Sequence, residues 1–167
     1  MFLEEHMGKL PQISKKAKVF KNVCISGDVT VNDGVSIWYN VSIRGDMAPV
    51  TIGKNTNIQD NSVIHTNTNL PTHIGKNCTV GHNAIIHACT VGDNCLIGMG
   101  SILLDGCIIE DGALVGAGCV VPPGKTVPKN HLVVGNPMKI IRELKDSEIE
   151  AMKVNKDYYI KLMNEYK

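Results

Sequence analysis

Aliphatic residues recur at every sixth position through most of the chain. They run Val19, Ile25, Val31, Ile37, Ile43, then Ile52, Ile58, Ile64, then Ile74, Val80, Ile86. The longest run is Val91, Ile97, Leu103, Ile109, Val115, Val121, Val127. Two positions before these aliphatics the residue is small, as at Val23, Thr56, Ser62, Ala84, Ser101 and Ala113. Gly often follows them, as at Gly53, Gly75, Gly81, Gly92, Gly98 and Gly116. A period of six matches neither the turn of an α-helix nor the alternation of a strand. It matches a parallel β-helix of hexapeptide repeats. Each hexad makes one short strand and one turn, and three hexads close a triangular coil. The aliphatics then point inward, Gly and Asn serve the turns, and coils stack at about 4.7–4.9 Å. The pattern alone leaves the handedness open.

The period breaks at three places. Ile43 to Ile52 spans nine residues, Ile64 to Ile74 ten, and Ile86 to Val91 five. The first two are insertions, near DMAPV and within HTNTNLPTH, and the third is a one-residue deletion. Insertions bulge from a solenoid without disturbing its stack, and often lie on the functional face. The predicted organisation is one domain: a lead-in over 1–18, the β-helix over 19–128, an exit loop over 129–146 and a C-terminal helix over 147–167. Ser147 and Glu150 have the spacing of a capping box. Ile149, Met152, Tyr159, Met163 and Tyr166 follow at helical intervals, so the helix should pack along the outside of the prism.

Composition narrows the classes. The chain has 167 residues, enough for one domain with a sizeable core. Only 4% are aromatic, so the core is not built on Phe and Trp. A net charge of +1 advertises no polyanion-binding surface, and no nucleic-acid partner is expected. No apolar stretch approaches a membrane span, and MFLEEHMGKLPQIS lacks the order of a secretion signal. A cytoplasmic protein without membrane association is the expectation. The six Cys form no CxxC. Five of them, Cys78, Cys89, Cys95, Cys107 and Cys119, occupy the small slot before an aliphatic. They read as packed free thiols.

Counting in hexads gives the polar residues their places. Ile43, Ile64 and Ile86 are three steps apart, so Arg44, His65 and His87, which follow them, should form one column. Backbones about 4.7–4.9 Å apart let two imidazoles converge on one metal ion. Ile58 and Val80 are likewise three steps apart, which puts Asp60 beneath His82, with Gln59 beside that column and Asp46 near the first. A carboxylate under a ligand His is a common supporting arrangement. The spacing of five places His82 on the face before that of His87. A threefold assembly would bring His82 of one copy against His65 and His87 of the next. Three imidazoles and an open position make a catalytic zinc pattern. His73 reads as a residue of the inserted loop, and His6 and His131 lie outside the repeat.

The segments SIWYNVSIRGD, TIGKNTNIQDNSVIH, HIGKNCTVGHNAIIHACTVGDNCLIGMGSILLDG and VVGNPMKIIREL resemble the γ-class carbonic anhydrase-like proteins over about residues 11–166. The resemblance implies a left-handed β-helix and a homotrimer with metal sites between subunits. It implies His65, His82 and His87 as ligands, with His82 supplied by the neighbour. It implies reversible hydration of CO2 to bicarbonate by a metal-activated hydroxide. Arg44 and Asp46 would form an intersubunit salt bridge, with Arg44 near bicarbonate. Gln59 would orient the hydroxide, Asp60 would support the site, and Tyr159 corresponds to a tyrosine near the metal. Well-studied members carry loop glutamates for proton transfer, whereas DMAPV and TNTNLPTH hold no Glu. This is similar to a shorter subgroup of varied activity, in which buffer, His73 or Tyr159 would have to move the proton.

Other readings stay open at this point. A hexapeptide acyltransferase with a His base and an acyl-CoA accounts for the repeat equally well but leaves the stacked His65–His87 pair and the Arg44 column unexplained; a metal-dependent thioesterase would turn the same hydroxide on an acyl carbonyl. A non-catalytic, metal-bearing trimeric scaffold is the third. Three imidazoles suit Zn2+, but also Fe2+, Co2+ or Ni2+.

Overall fold

The inward aliphatics stack in register on three faces. One column runs Ile25, Ile43, Ile64, Ile86, Leu103, Val121. A second runs Val31, Ile52, Ile74, Val91, Ile109, Val127. The third runs Val19, Ile37, Ile58, Val80, Ile97, Val115, Val133. All pairings along these columns are parallel, and the chain is a left-handed hexapeptide β-helix. The computed structural model describes residues 1–166. The first two faces share a 12-stranded sheet because the long strands Cys24–Val31 and Ser42–Ile52 run around the corner between them. The third face is an 8-stranded sheet.

The interior is closed to water, with the central isoleucines fully buried. The small slot holds more than apolar groups. Thr56 Oγ1 donates to the Gly75 carbonyl (2.8 Å), Ser62 to Gly81 (3.1 Å) and Ser101 to Gly116 (2.9 Å). Cys78 Sγ donates to the Gly92 carbonyl (3.0 Å) and Cys95 Sγ to Glu110 (3.2 Å). Ser, Thr and Cys thus serve one role there: a small group whose proton reaches a main-chain oxygen of the adjacent coil. Each buried hydroxyl is satisfied, which removes most of its burial cost.

Corners need left-handed backbone, and the sequence supplies it in columns. Asn40, Asn61, Asn83, Gly100 and Gly118 occupy one corner with φ of 60°, 61°, 59°, 66° and 68°. Asn tolerates this region better than other side chains with a Cβ, and Asn40 Nδ2 donates to Asn61 Oδ1 at 3.2 Å. Elsewhere Gly is needed for close approach: a Cβ on Gly98 would lie 2.5 Å from the Ala117 nitrogen.

Both ends differ from expectation. Phe2–Glu4 and Gln12–Ile13, inside the expected lead-in, already pair with Cys24–Val31. The expected exit loop holds two strands. His131–Val134 continues the third face, and Lys139–Glu143 folds back antiparallel on it. The reason is the period itself, since Val133 lies six beyond Val127 and is fully buried. The helix spans Asp146–Glu165. Its start is fixed by Glu148, not by Ser147 and Glu150: Glu148 accepts from the Lys145 N–H (2.8 Å) and both arms of Arg142 (2.8 and 2.9 Å). The last residue of the expected helix, 167, lies outside the described residues.

The helix packs on the third face through Met163, which joins a cluster with Phe20 and Trp38. Phe20 and Trp38 stack at 4.2 Å, with Tyr159 and Tyr166 edge-on to Trp38 at 5.7 and 5.6 Å. Phe20, Trp38, Tyr39, Tyr159 and Tyr166 are therefore gathered outside the solenoid, as the glue for the helix.

Gly100→Asn should retain the wild-type unfolding midpoint in urea, whereas Gly100→Ala should lose about 1–2 kcal/mol from left-handed strain alone, because a Cβ there meets open space. The hydrogen bonds from Arg142 and the Lys145 N–H lower the Glu148 carboxyl from 4.5 to about 2. A pKa depressed in the folded state contributes stability above the unfolded value, and that contribution disappears as pH falls through the folded one. Acid titration followed by fluorescence of Trp38 should therefore show the helix loosening between pH 4.5 and 2. Glu148→Gln should flatten that profile.

Candidate functional site

His65 and His87 end the strands Val63–His65 and Ile85–His87, which pair residue for residue. The stacked coils bring their rings to 5.1 Å between centroids, with His65 Nδ1 facing His87 Nε2 at 3.2 Å. The outer nitrogens meet carboxylates. His65 Nε2 lies 3.0 Å from Asp46 Oδ1, and His87 Nδ1 contacts Asp105 Oδ1. An ionised carboxylate only accepts, so each outer nitrogen carries the hydrogen. In neutral rings both inner nitrogens then present lone pairs to the same point.

Arg44 closes this cluster. Its guanidinium pairs with Asp46 Oδ2 within one chain, so Asp46 sits between Arg44 and His65. Burial pushes the Asp46 carboxyl up, but hydrogen bonds from Arg44 and His65 more than reverse this and hold it at about 2. Asp105 is also held below the usual carboxylate range, first by the Asn67 amide and then by His87.

A second cluster forms on the third face. His82 Nδ1 lies 2.9 Å from Asp60 Oδ2, as the hexad count predicts. Gln59 is buried beside them, its Nε2 donating to Asn57 Oδ1 at 3.1 Å. A ladder fixes it: Asn57 Nδ2 donates to Thr79 Oγ1 (2.9 Å), which donates to Asn155 Oδ1 on the helix (3.3 Å). Gln59, His82 and Tyr159 line a 270 Å³ pocket with Leu96, Met99 and Leu114. Burial pushes the Tyr159 phenol up, and the Asp60 charge adds to this.

The structure therefore brings together Arg44, Asp46, His65 and His87 on one edge, and Gln59, Asp60, His82 and Tyr159 on another. Among the described residues, no group of three or more His, Cys, Asp or Glu side chains in the single chain is placed to hold a metal ion. The donor set of the first edge is nonetheless compatible with one. Tetrahedral ligands at about 2.0–2.1 Å from a metal stand about 3.3 Å apart, close to the 3.2 Å between the two inner nitrogens.

Other histidines stand apart. His73 lies in a strand, not a loop, and points outward on the second face between Thr51 and Thr90. His131 Nδ1 faces the Lys129 carbonyl at 2.7 Å, and His6 pairs with Lys9 in a small N-terminal bridge. Asp105 adds a site residue beyond those that the hexad count names, and its signal is in the sequence: Leu103 continues the Ile64–Ile86 column one coil further, and Asp105 follows it by two.

The outward residues of the three faces differ. On the first face, beyond Ser42, they are Val63, Ile85, Ile102 and Val120, an apolar stripe beside His65 and His87. On the second they are mainly Thr30, Thr51, Thr90 and Thr126. Val63 and Ile85 remain 41% and 37% exposed in the single chain.

The three-sided stack of hexads, with paired, carboxylate-backed histidines at one edge, places the chain among the hexapeptide-repeat β-helix proteins. Residues 71–102 and 88–123 match the family described as bacterial transferase hexapeptide (six repeats). The chain is similar to a carbonic anhydrase of Geobacillus kaustophilus, at 46% identity over 97% of this chain and 89% of that one. It is 40% identical to the mitochondrial gamma carbonic anhydrase 2 of Arabidopsis thaliana, over 96% of this chain and 63% of that one. The crystal structure of a hexapeptide transferase family protein from Anaplasma phagocytophilum superposes with a TM-score of 0.96 at 38% identity, covering 99% and 98% of the two chains. The chain belongs to the γ-class carbonic anhydrase family of hexapeptide-repeat proteins. No helix among the described residues is long and apolar enough to cross a membrane.

Proposed function

We propose that the protein hydrates CO2 reversibly to bicarbonate at a metal held by His65, His87 and His82 of the partner subunit in a homotrimer. One observation carries this reading: two stacked imidazoles, each met from behind by a carboxylate, bring their inner ring nitrogens to within 3.2 Å of each other. Such a site takes Zn2+, with Fe2+, Co2+ or Ni2+ as competitors. When bound, the metal lowers the pKa of a water so that hydroxide is available near neutral pH.

The chain's own residues then divide the work. Asp60 Oδ2 stands 2.9 Å from His82 Nδ1, so ligation falls to Nε2. Gln59 has its amide nitrogen committed to Asn57, so its carbonyl oxygen is the end free to orient the attacking oxygen. Leu96, Met99 and Leu114 offer CO2, an apolar molecule, an apolar wall. Arg44, half exposed and anchored by Asp46, supplies the positive charge that receives bicarbonate. Tyr159, its pKa raised, stays neutral and can donate a hydrogen bond from the helix side. With His73 on another face and no loop glutamate, the released proton leaves through buffer.

The homotrimer is supported by unlike patches that fit a closing ring. The Val63–Ile85–Ile102 stripe lies beside the His65–His87 pair, while apolar Leu96, Met99 and Leu114 lie beside His82. Head-to-tail contact between two different patches closes into a cyclic oligomer. Acyl transfer is the second reading, favoured by the transferase designation of the Anaplasma phagocytophilum structure. Turnover of an acyl-CoA by the metal-free protein would support it.

Metal analysis of protein purified without added metal should give about one ion per subunit, and His82→Ala should lose it while staying folded. The loaded protein should hydrate CO2 slowly, at a rate that rises with buffer concentration. A metal-free native protein, or hydration indifferent to His82, would exclude the reading. Ile85→Glu puts a charge in the stripe and should yield monomers in light scattering, with metal lost in parallel. A metal-loaded monomer would refute the shared site.

A further inference from the structure

We propose that the inserted loop 66–71 is a positioning device for His87: Asn67 locks the Asp105 carboxylate, and Asp105 sets the tautomer and aim of the His87 ring. This rests on the metal-site reading, and it assigns a task to Asn67 and the inserted loop, which that reading leaves idle.

The loop is built to hold one side chain still. Asn67 and Leu70 exchange backbone hydrogen bonds at 3.1 and 2.9 Å, closing a tight turn whose tip, Asn69, has φ of 56°. The Thr68 N–H donates to Asn67 Oδ1 at 2.8 Å, which fixes which end of the amide points inward. Asn67 Nδ2 is left to donate to Asp105 Oδ2 at 2.7 Å, while Asp105 Oδ1 takes His87 Nδ1. Each carboxylate oxygen thus has its own partner, and neither can swing without breaking a bond.

The reach explains the insertion. The strand ending in His65 pairs with that ending in His87, which pairs with Ile102–Leu103. Asn67 therefore bridges over the intervening coil to Asp105, 38 residues away. Two ladder steps are roughly 9–10 Å, beyond an ordinary hexapeptide corner. Extra chain is needed, and Ile64 to Ile74 supplies it. The loop is tied down on its other sides as well. The Ala48 N–H donates to Thr66 Oγ1 at 3.2 Å, and Thr72 Oγ1 bonds the His65 carbonyl. One loop therefore touches the backbone of His65, the strand carrying Asp46 and the carboxylate behind His87.

Two measurements on the full-length protein test this. The first is the 15N ring shifts of His87 in metal-free protein, which report its tautomer whether or not a metal binds. The second is the zinc dissociation constant from competition with a chromophoric chelator. In the wild type His87 should be the Nδ1–H tautomer. Asn67→Ala should give mixed tautomers and bind zinc about 10-fold more weakly, and Asp105→Asn about 10- to 100-fold more weakly. Thr68→Ala, which keeps the backbone donor, should match the wild type in both. Unfolding midpoints of all variants should stay close to the wild type, so that loss of fold does not mimic loss of aim. A His87 carrying its hydrogen on Nε2, or an Asn67→Ala indistinguishable from wild type in ring shifts, would overturn the proposal. If the wild type takes up no zinc, the metal-site reading fails by itself and the ring shifts still decide the role of Asn67.

Discussion

The backbone ladder between coils is the constraint on which the rest depends. Each coil donates main-chain N–H groups to the next in fixed register, as in Cys24 to Val41, Asn57 to Cys78 and Thr79 to Cys95. The axial step is then set by hydrogen bonding, at about 4.8 Å, and side chains must accept it. Isoleucine and valine fit the interior at that step. Gly53, Gly75 and Gly92 stack where the chain passes itself, since a Cβ at Gly53 would lie 2.5 Å from the Gly75 carbonyl carbon. His65 and His87 are 22 residues apart in sequence, yet the same ladder holds their rings face to edge.

A lattice this regular leaves little freedom for chemistry inside it. Its interior slots are filled by aliphatics and by Ser, Thr and Cys that satisfy themselves on the adjacent coil. Chemistry therefore collects at corners and in departures from the period. Asp46 lies in the insertion between Ile43 and Ile52, Asn67 in that between Ile64 and Ile74, and His87 just before the single deletion. The rigid coils serve as the mount, and the irregular segments carry the adjustable groups.

What was legible in the sequence follows from this. The three columns, the stacking of His65 on His87 and of Asp60 by His82 were readable because a periodic ladder turns arithmetic into position. What escaped lay where arithmetic stops being sufficient. The helix start depends on Arg142 reaching Glu148, a contact between a strand and a helix that no spacing encodes. The packing of the helix depends on Phe20 and Trp38, residues scarce in composition but gathered by the fold at one place. Asp105 and Val133 are periodic as well, but Asp105 lies one coil beyond the histidines and Val133 lies among the Gly and Pro of the exit segment, where the six-residue signal is diluted. Arg44 follows its column, yet its guanidinium turns to Asp46.

The division of the polar residues between two faces has a geometric consequence. The side chains of a triangular prism leave its faces in directions far apart, and the backbone ladder allows no bending to bring them together. The Asp60–His82 pair leaves from the third face, and the His65–His87 pair from the first. Rotamer choice cannot bridge that separation. On the proposed reading, chemistry that uses both pairs therefore draws on more than one copy of the chain, and assembly would be a condition of the reaction, not an addition to it. The same rigidity makes the requirement easy to meet. Each copy presents both edges unchanged, with an apolar stripe beside one and an apolar wall beside the other. In the homotrimer proposed above, burying stripe against wall would carry the two pairs toward each other as a by-product of excluding water, so the hydrophobic term that forms the ring would also position the donors.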